Sequence, residues 1–222
     1  MRLNTVTSRS TQSVLETNRV LRNTYFLLSL TLLFSAAMAG VSMMLNLPQP
    51  GILITFVGYF GLLFLTSKFR NSSLGMLFVF MLTGFMGMTL GPIINMYLNT
   101  FSNGSELVMT ALGGTGVIFL GLSGYALTTK KDFSFIGGFL MIGILVAFLA
   151  SLGALFFHIP ALSLAVSAMF ILLMSGMILY ETSAIIHGGE TNYIMATVSL
   201  YVSIYNLFLS LLQLLGAFSG ED

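Results

Sequence analysis

Chemistry in this chain starts from one carboxylate. Glu181 lies in Ile178-Leu179-Tyr180-Glu181-Thr182-Ser183-Ala184-Ile185-Ile186, a run that is otherwise apolar or weakly polar. A charged side chain inside a membrane helix costs a few kcal/mol on insertion scales, so it faces the helix bundle or water and needs a partner. Two sets of residues are candidates. Ser199, Ser203, Asn206, Ser210 and Gln213 are spaced 4, 3, 4 and 3 residues apart, which places them on one face of a helix. Such a stripe serves either as a polar path or as a hydrogen-bonded helix interface, because buried amides take partners from another helix. Lys68 and Arg70 end another apolar run at a depth from which they could reach Glu181. Desolvation and a cationic neighbour act on a carboxyl in opposite senses, so Glu181 is either a protonation switch or half of a static ion pair.

Two further patterns carry less. Gly121-Leu122-Ser123-Gly124 has the GxSG form of an intramembrane serine protease, with His187 as its candidate base, yet no oxyanion donor accompanies it. His187 and Glu190 alone stand at ligand spacing and there is no cysteine, so neither a resident metal nor a catalytic residue is expected.

These residues must be positioned by a membrane-embedded scaffold. Of 222 residues, 56% are hydrophobic and 7% charged, too little polar surface for a soluble domain of this size. Apolar spans at about 25–45, 52–67, 74–97, 107–127, 133–157, 161–186 and 193–218 predict an all-α, seven-helix integral membrane protein in the lipid bilayer. The second span is short and extends by snorkelling of Lys68. Residues 1–24, rich in Ser, Thr, Asn and Arg, read as a largely irregular tail with at most a short amphipathic helix near Val14–Leu21. Residues 219–222 form a short acidic tail. Ala37-Met38-Ala39 resembles a cleavage site, but the long polar segment before it favours an uncleaved anchor.

Charge predicts the orientation. Arg2, Arg9, Arg19 and Arg22 precede the first span, Lys68 and Arg70 follow the second, and Lys130 and Lys131 follow the fourth. A cytoplasmic N-terminus puts all eight basic residues inside, and seven spans then put the C-terminus outside. Basic residues scattered among span ends do not form a nucleic-acid surface. Glycines at 84, 87 and 91, at 113, 114, 116, 121 and 124, and at 137, 138 and 143 predict close helix packing. Gly91-Pro92 predicts a kink, since proline removes a donor and clashes with the Met88 carbonyl; the kink is either fixed architecture or a hinge.

Leu90-Gly91-Pro92-Ile93-Ile94, Ala111 with Thr115 and Val117-Ile118-Phe119, and Thr129-Lys130-Lys131-Asp132-Phe133-Ser134-Phe135-Ile136-Gly137-Gly138 resemble the signature of the Bax inhibitor (transmembrane Bax inhibitor motif) family. Leu179-Tyr180-Glu181 and Ser199–Phe208 extend the resemblance over nearly the whole chain, and the 187–193 turn is similar to the bacterial YccA-like branch. The resemblance implies a central helix ringed by the others, in the bacterial inner membrane. It implies either modulation of the membrane-bound AAA protease FtsH, with the N-terminal tail as handle, or a pH-sensitive leak for calcium or another cation through Glu181, Ser203 and Asn206. Leak-competent members pair two aspartates that share a proton; here the first position is Glu181 and the second is Ser203. A lone carboxylate lacks the coupled titration and cation ligation of a pair, so protease modulation is the leading expectation and an H+ or Ca2+ path the alternative.

Overall fold

The computed structural model describes residues 3–219, and the side chains of residues 17–219. It is all-helical: α1 (Leu3–Met44), α2 (Ile52–Lys68), α3 (Ser73–Thr100), α4 (Gly104–Thr129), a 3-10 turn (Ser134–Ile136), α5 (Gly137–Phe157), α6 (Pro160–Ile186) and α7 (Tyr193–Ser219). Among the described residues six helices are long and apolar enough to cross a membrane, and α2, with 17 residues, is a shorter apolar helix. The chain is a multi-pass membrane protein. Pro48 and Pro50 lie in the non-helical stretch between α1 and α2, and Pro160 opens α6, where its missing amide costs no helical hydrogen bond. Lys130 closes α4 in the left-handed region.

One expectation is corrected. The segment read as an irregular tail is helical from Leu3 onward and continuous with the first span. No proline or glycine precedes Gly40, so nothing interrupts helical hydrogen bonding there. Val20 and Leu21 also pack against the core, which anchors this stretch. The acidic residues Glu221 and Asp222 lie outside the described residues.

The central helix is α7, which packs on every other helix except α5. One of its faces, with Leu200, Tyr201 and Ile204, meets Leu27 and Leu28 of α1 and Val79, Leu82 and Met86 of α3. Leu207 turns toward Leu173 and Ile178 of α6, and Phe208 and Leu212 toward Tyr97 and Ala111. Polar side chains buried on α7 therefore take their hydrogen bonds from neighbouring helices or from the backbone of α7 itself.

The glycines divide. A Cβ at Gly87 would meet the Ser35 backbone, and one at Gly84 would meet Phe34, so α1 and α3 depend on these small residues. Gly137 and Gly143 similarly admit Tyr180 and Leu173 of α6. Close packing fails as an explanation for α4: nothing lies within 4 Å of a Cβ at Gly113, Gly116, Gly121 or Gly124. Those four positions lie on the open side of their helix.

Helix α3 runs unbroken through Pro92. The proline leaves the carbonyl of Met88 without its helical donor, and the hydroxyl of Ser42 on α1 donates to that oxygen at 2.8 Å. Gly91 packs directly on the Ser42 side chain. Gly91-Pro92 is thus a docking position for α1.

Candidate functional site

Three consecutive residues near the end of α6 tie it to four other parts of the molecule. Glu181 is buried, 7% exposed, and both its carboxylate oxygens face Ser203 of α7, whose Oγ donates at 3.3 and 3.4 Å. Thr182 shares hydrogen bonds with Tyr25 of α1 at 3.3 Å and Ser123 of α4 at 3.4 Å. Ser183 accepts from the Phe133 amide at 2.9 Å and donates to the Lys131 carbonyl at 3.2 Å, holding the turn between α4 and α5. Successive residues on a helix point about 100° apart, so a polar triplet points in three directions and here reaches four neighbours.

His187 completes this strap one turn later. Its Nδ1 lies 2.9 Å from the Ser183 carbonyl and its Nε2 lies 3.1 Å from the Lys130 carbonyl. On the exposed turn itself, the Ser134 amide donates to Asp132 at 2.9 Å, and that bond, with a side-chain bond from Ser134 and the nearby His187, holds the Asp132 carboxyl below its ordinary value. A second strap joins the α6–α7 and α2–α3 turns: Asn192 Nδ2 donates to the Arg70 carbonyl at 3.1 Å and to Asn71 at 2.8 Å. Lys68, Arg70, Lys130 and Lys131 consequently share one end of the bundle.

The structure brings Glu181 and Ser203 together and leaves other expected partners apart. Lys68 and Arg70 are exposed; Lys68 Nζ lies 5.8 Å from the Phe69 ring centroid, and neither residue pairs with Glu181 among the described contacts. No packing joins α2 to α6, which is why the depth match did not become an ion pair. The protease pattern also fails. Ser123 is paired with Thr182, while both ring nitrogens of His187 face backbone carbonyls, so the serine–histidine contact that activates a nucleophile is missing.

Along the α7 stripe the partners are on α6 or on α7 itself. Gln213 accepts from Ser167 at 2.9 Å and donates to Ser163 at 2.6 Å, whereas Asn206 Nδ2 donates to its own helix at Val202, 2.8 Å away. Ser199 is half-buried and Ser210 buried. No group of three His, Cys, Asp or Glu among the described residues could hold a metal.

Sequence reasoning missed the opposite face of α7. Tyr201 shares a hydrogen bond with Ser35 and donates to the Thr83 carbonyl at 3.3 Å, and Tyr205 pairs with Thr89 at 2.9 Å. Two tyrosines at i and i+4 in a membrane helix were the available signal, since a buried phenol takes a hydrogen-bond partner.

With this arrangement established, comparison places the chain. A family model described as inhibitor of apoptosis-promoting Bax1 matches residues 17–220. The chain belongs to the Bax inhibitor family. Within that family it is 55% identical over 215 residues, 97% of both chains, to the modulator of FtsH protease YccA of Escherichia coli K12. It is 56% identical over 207 residues to a protein of Pseudomonas aeruginosa, 93% of both chains, and 45% identical over 214 residues, 96% of both, to a membrane protein of Vibrio cholerae. A second E. coli relative, again 55% identical, is named inner membrane protein YccA. With its six long apolar helices, this Bax inhibitor family member is a multi-pass inner-membrane protein.

Proposed function

We propose that the protein is a non-enzymatic regulator of membrane-protein quality control that binds and modulates a membrane-bound AAA protease of the FtsH type. The observation carrying this reading is the 55% identity, along 97% of both chains, to a relative named for that modulation. Two features of the fold support it. The basic turns are strapped together by Ser183, His187 and Asn192, which presents Lys68, Arg70, Lys130 and Lys131 as one ordered surface. Helix α1, Leu3–Met44, extends well beyond membrane-spanning length, and the segment 1–24 supplies a cytoplasmic handle. Copurification of the solubilised protein with FtsH, together with altered turnover of a membrane substrate in proteoliposomes, is the expected result. Unchanged turnover and no copurification would overturn the proposal. Equal recovery after deletion of residues 1–24 would sink the handle alone.

One observation favours a second reading, a proton-sensitive cation leak carrying Ca2+ or H+. Glu181 is buried with Ser203 against its carboxylate and no cationic partner among the described residues, as a titrating group in a polar path would be. Calcium flux into liposomes that vanishes in Glu181→Gln would establish it; flux indistinguishable from empty liposomes would remove it.

A further inference from the structure

Between α5, α6 and α7, at the end of the bundle opposite Lys68 and Lys130, lies a crevice of about 580 Å³. Its mouth is the α5–α6 turn at His158 and Pro160, and Phe170 and Asn206 line it far inside. Phe170 is ten residues into α6 and Asn206 thirteen from the end of α7, so the crevice reaches about 15–20 Å inward at 1.5 Å per residue. Neither Glu181 nor α2 lines it.

The polar groups on its wall separate by depth. Near the mouth, Gln213 is bonded to Ser163 and Ser167, bridging α6 and α7. Deeper in, two oxygens lack any such partner. Asn206 commits its Nδ2 to Val202, leaving Oδ1 with no donor among the described residues. Ser210 Oγ makes no hydrogen bond with any described residue, although Ser210 is only 7% exposed. A hydroxyl and an amide oxygen that open onto the crevice would be left unsatisfied against hydrocarbon, whereas water provides partners for both. At about 30 Å³ per molecule the space has room for on the order of 20 waters, and although much of the wall is apolar, seven of its fourteen lining residues are polar and give water partners along its length.

We propose that this crevice is a water-filled, dead-ended vestibule that carries the aqueous phase to Ser210 and Asn206 in the middle of the bilayer. Its ligand class is water and small hydrated solutes, not lipid acyl chains. The floor is closed: Ser203, one turn beyond Asn206, is absent from the lining, which Ser167 and Ser210 share. A single turn of α7 therefore separates the vestibule from the Glu181–Ser203 contact. The inference stands apart from both functional readings, since it concerns hydration alone.

The chain has no cysteine, so single cysteines report directly on water access. Full-length Ser210→Cys, Ser167→Cys, Ser203→Cys and Leu172→Cys are placed in lipid nanodiscs, which expose both faces. Each is treated with the charged reagent sulfonatoethyl methanethiosulfonate, and remaining thiols are counted with a fluorescent maleimide after denaturation. Leu172, 75% exposed on the lipid-facing side of α6, sets the rate for a lipid-facing thiol. Ser210→Cys and Ser167→Cys are expected to react at least tenfold faster than Leu172→Cys, and Ser203→Cys no faster than it. If Ser210→Cys and Ser167→Cys both react at the Leu172→Cys rate, acyl chains fill the crevice and the proposal is overturned. Ser203→Cys reacting as fast as Ser210→Cys overturns the closed floor. Ser167→Cys keeps the test decisive if Ser210→Cys does not fold.

Discussion

Ser203 directs one hydroxyl at both carboxylate oxygens of Glu181, at 3.3 and 3.4 Å, across the interface of α6 and the central helix α7. Two long, shared contacts in place of one short bond mean that the serine holds the carboxyl group centrally without selecting either oxygen. Removing that hydroxyl leaves a buried carboxyl without its side-chain donor, which costs about 1–3 kcal/mol. Ser203→Ala is expected to lower the apparent thermal midpoint in detergent, while Ser203→Thr, which keeps the hydroxyl, holds it closer to the parent. Equal midpoints for Ser203→Ala and the parent would show that the contact contributes nothing.

The same contact predicts a gain of function. Ser203→Asp sets a second carboxylate against Glu181, and two carboxylates at this distance share a proton or ligate a divalent cation where one cannot. Calcium is expected to raise the thermal midpoint of Ser203→Asp and to leave the parent unchanged. A calcium response in the parent, or none in the variant, contradicts this assignment.

Ser42 and Pro92 form an energetic pair through the Met88 carbonyl. Ser42→Ala strips the remaining donor from an oxygen that Pro92 has already deprived, at a cost of about 1–3 kcal/mol. Pro92→Ala restores a backbone amide that can take over. In a double-mutant cycle, Ser42→Ala is therefore expected to cost less in the Pro92→Ala background, with coupling of about 0.5–3 kcal/mol. Additive effects would mean that the hydroxyl and the proline act independently.

Glycine substitutions should sort by helix. A Cβ at Gly87 runs into the Ser35 backbone, which cannot rotate away, so Gly87→Ala should destabilise by about 1–3 kcal/mol. Gly116→Ala meets nothing within 4 Å and should be neutral or mildly stabilising, because alanine is the better helix former by about 1 kcal/mol. Thermal unfolding of the two variants side by side checks the contrast.

The strap at the basic end has a defined pH response. The Asp132 carboxyl is held below its ordinary value of 3.8, first by the Ser134 amide, then by the Ser134 side chain and His187. A depressed value in the folded state means that the ionised form is favoured there; its contribution is present above the ordinary value and disappears as pH falls through the lowered one. After correction for intrinsic rates, exchange of the Ser134 amide should be flat from about pH 5 to 8 and accelerate only below the ordinary carboxylate range. His187→Ala, by contrast, should accelerate exchange at Phe133 at neutral pH, since the turn loses its bond to the Lys130 carbonyl. Identical exchange in His187→Ala and the parent would mean that Ser183 alone holds the turn.

By itself the sequence determined the apolar helices, their approximate ends apart from the start of α1, the clustering of basic turns and the family, because each is written in local composition: apolar run length, proline placement, charge at span ends and contiguous motifs. It also placed Glu181 and the α7 stripe on helix faces, since helical periodicity needs no partner to be known. What faced what was decided only by the tertiary structure. Lys68 and Arg70 matched Glu181 in depth, yet depth is one coordinate and helix adjacency is another; α2 packs on α3 and the acid met Ser203 instead. The glycines of α3 and α4 looked alike in sequence, but a Cβ would meet α1 at Gly84, Gly87 and Gly91 of α3 and nothing at Gly113, Gly116, Gly121 and Gly124 of α4. Pro92 announced a missing hydrogen bond, and the identity of its replacement, Ser42, fifty residues earlier in the chain, required the fold. Burial in a membrane makes an unpaired polar group costly, so the sequence supplies the demand for partners while the packing of helices decides which are met.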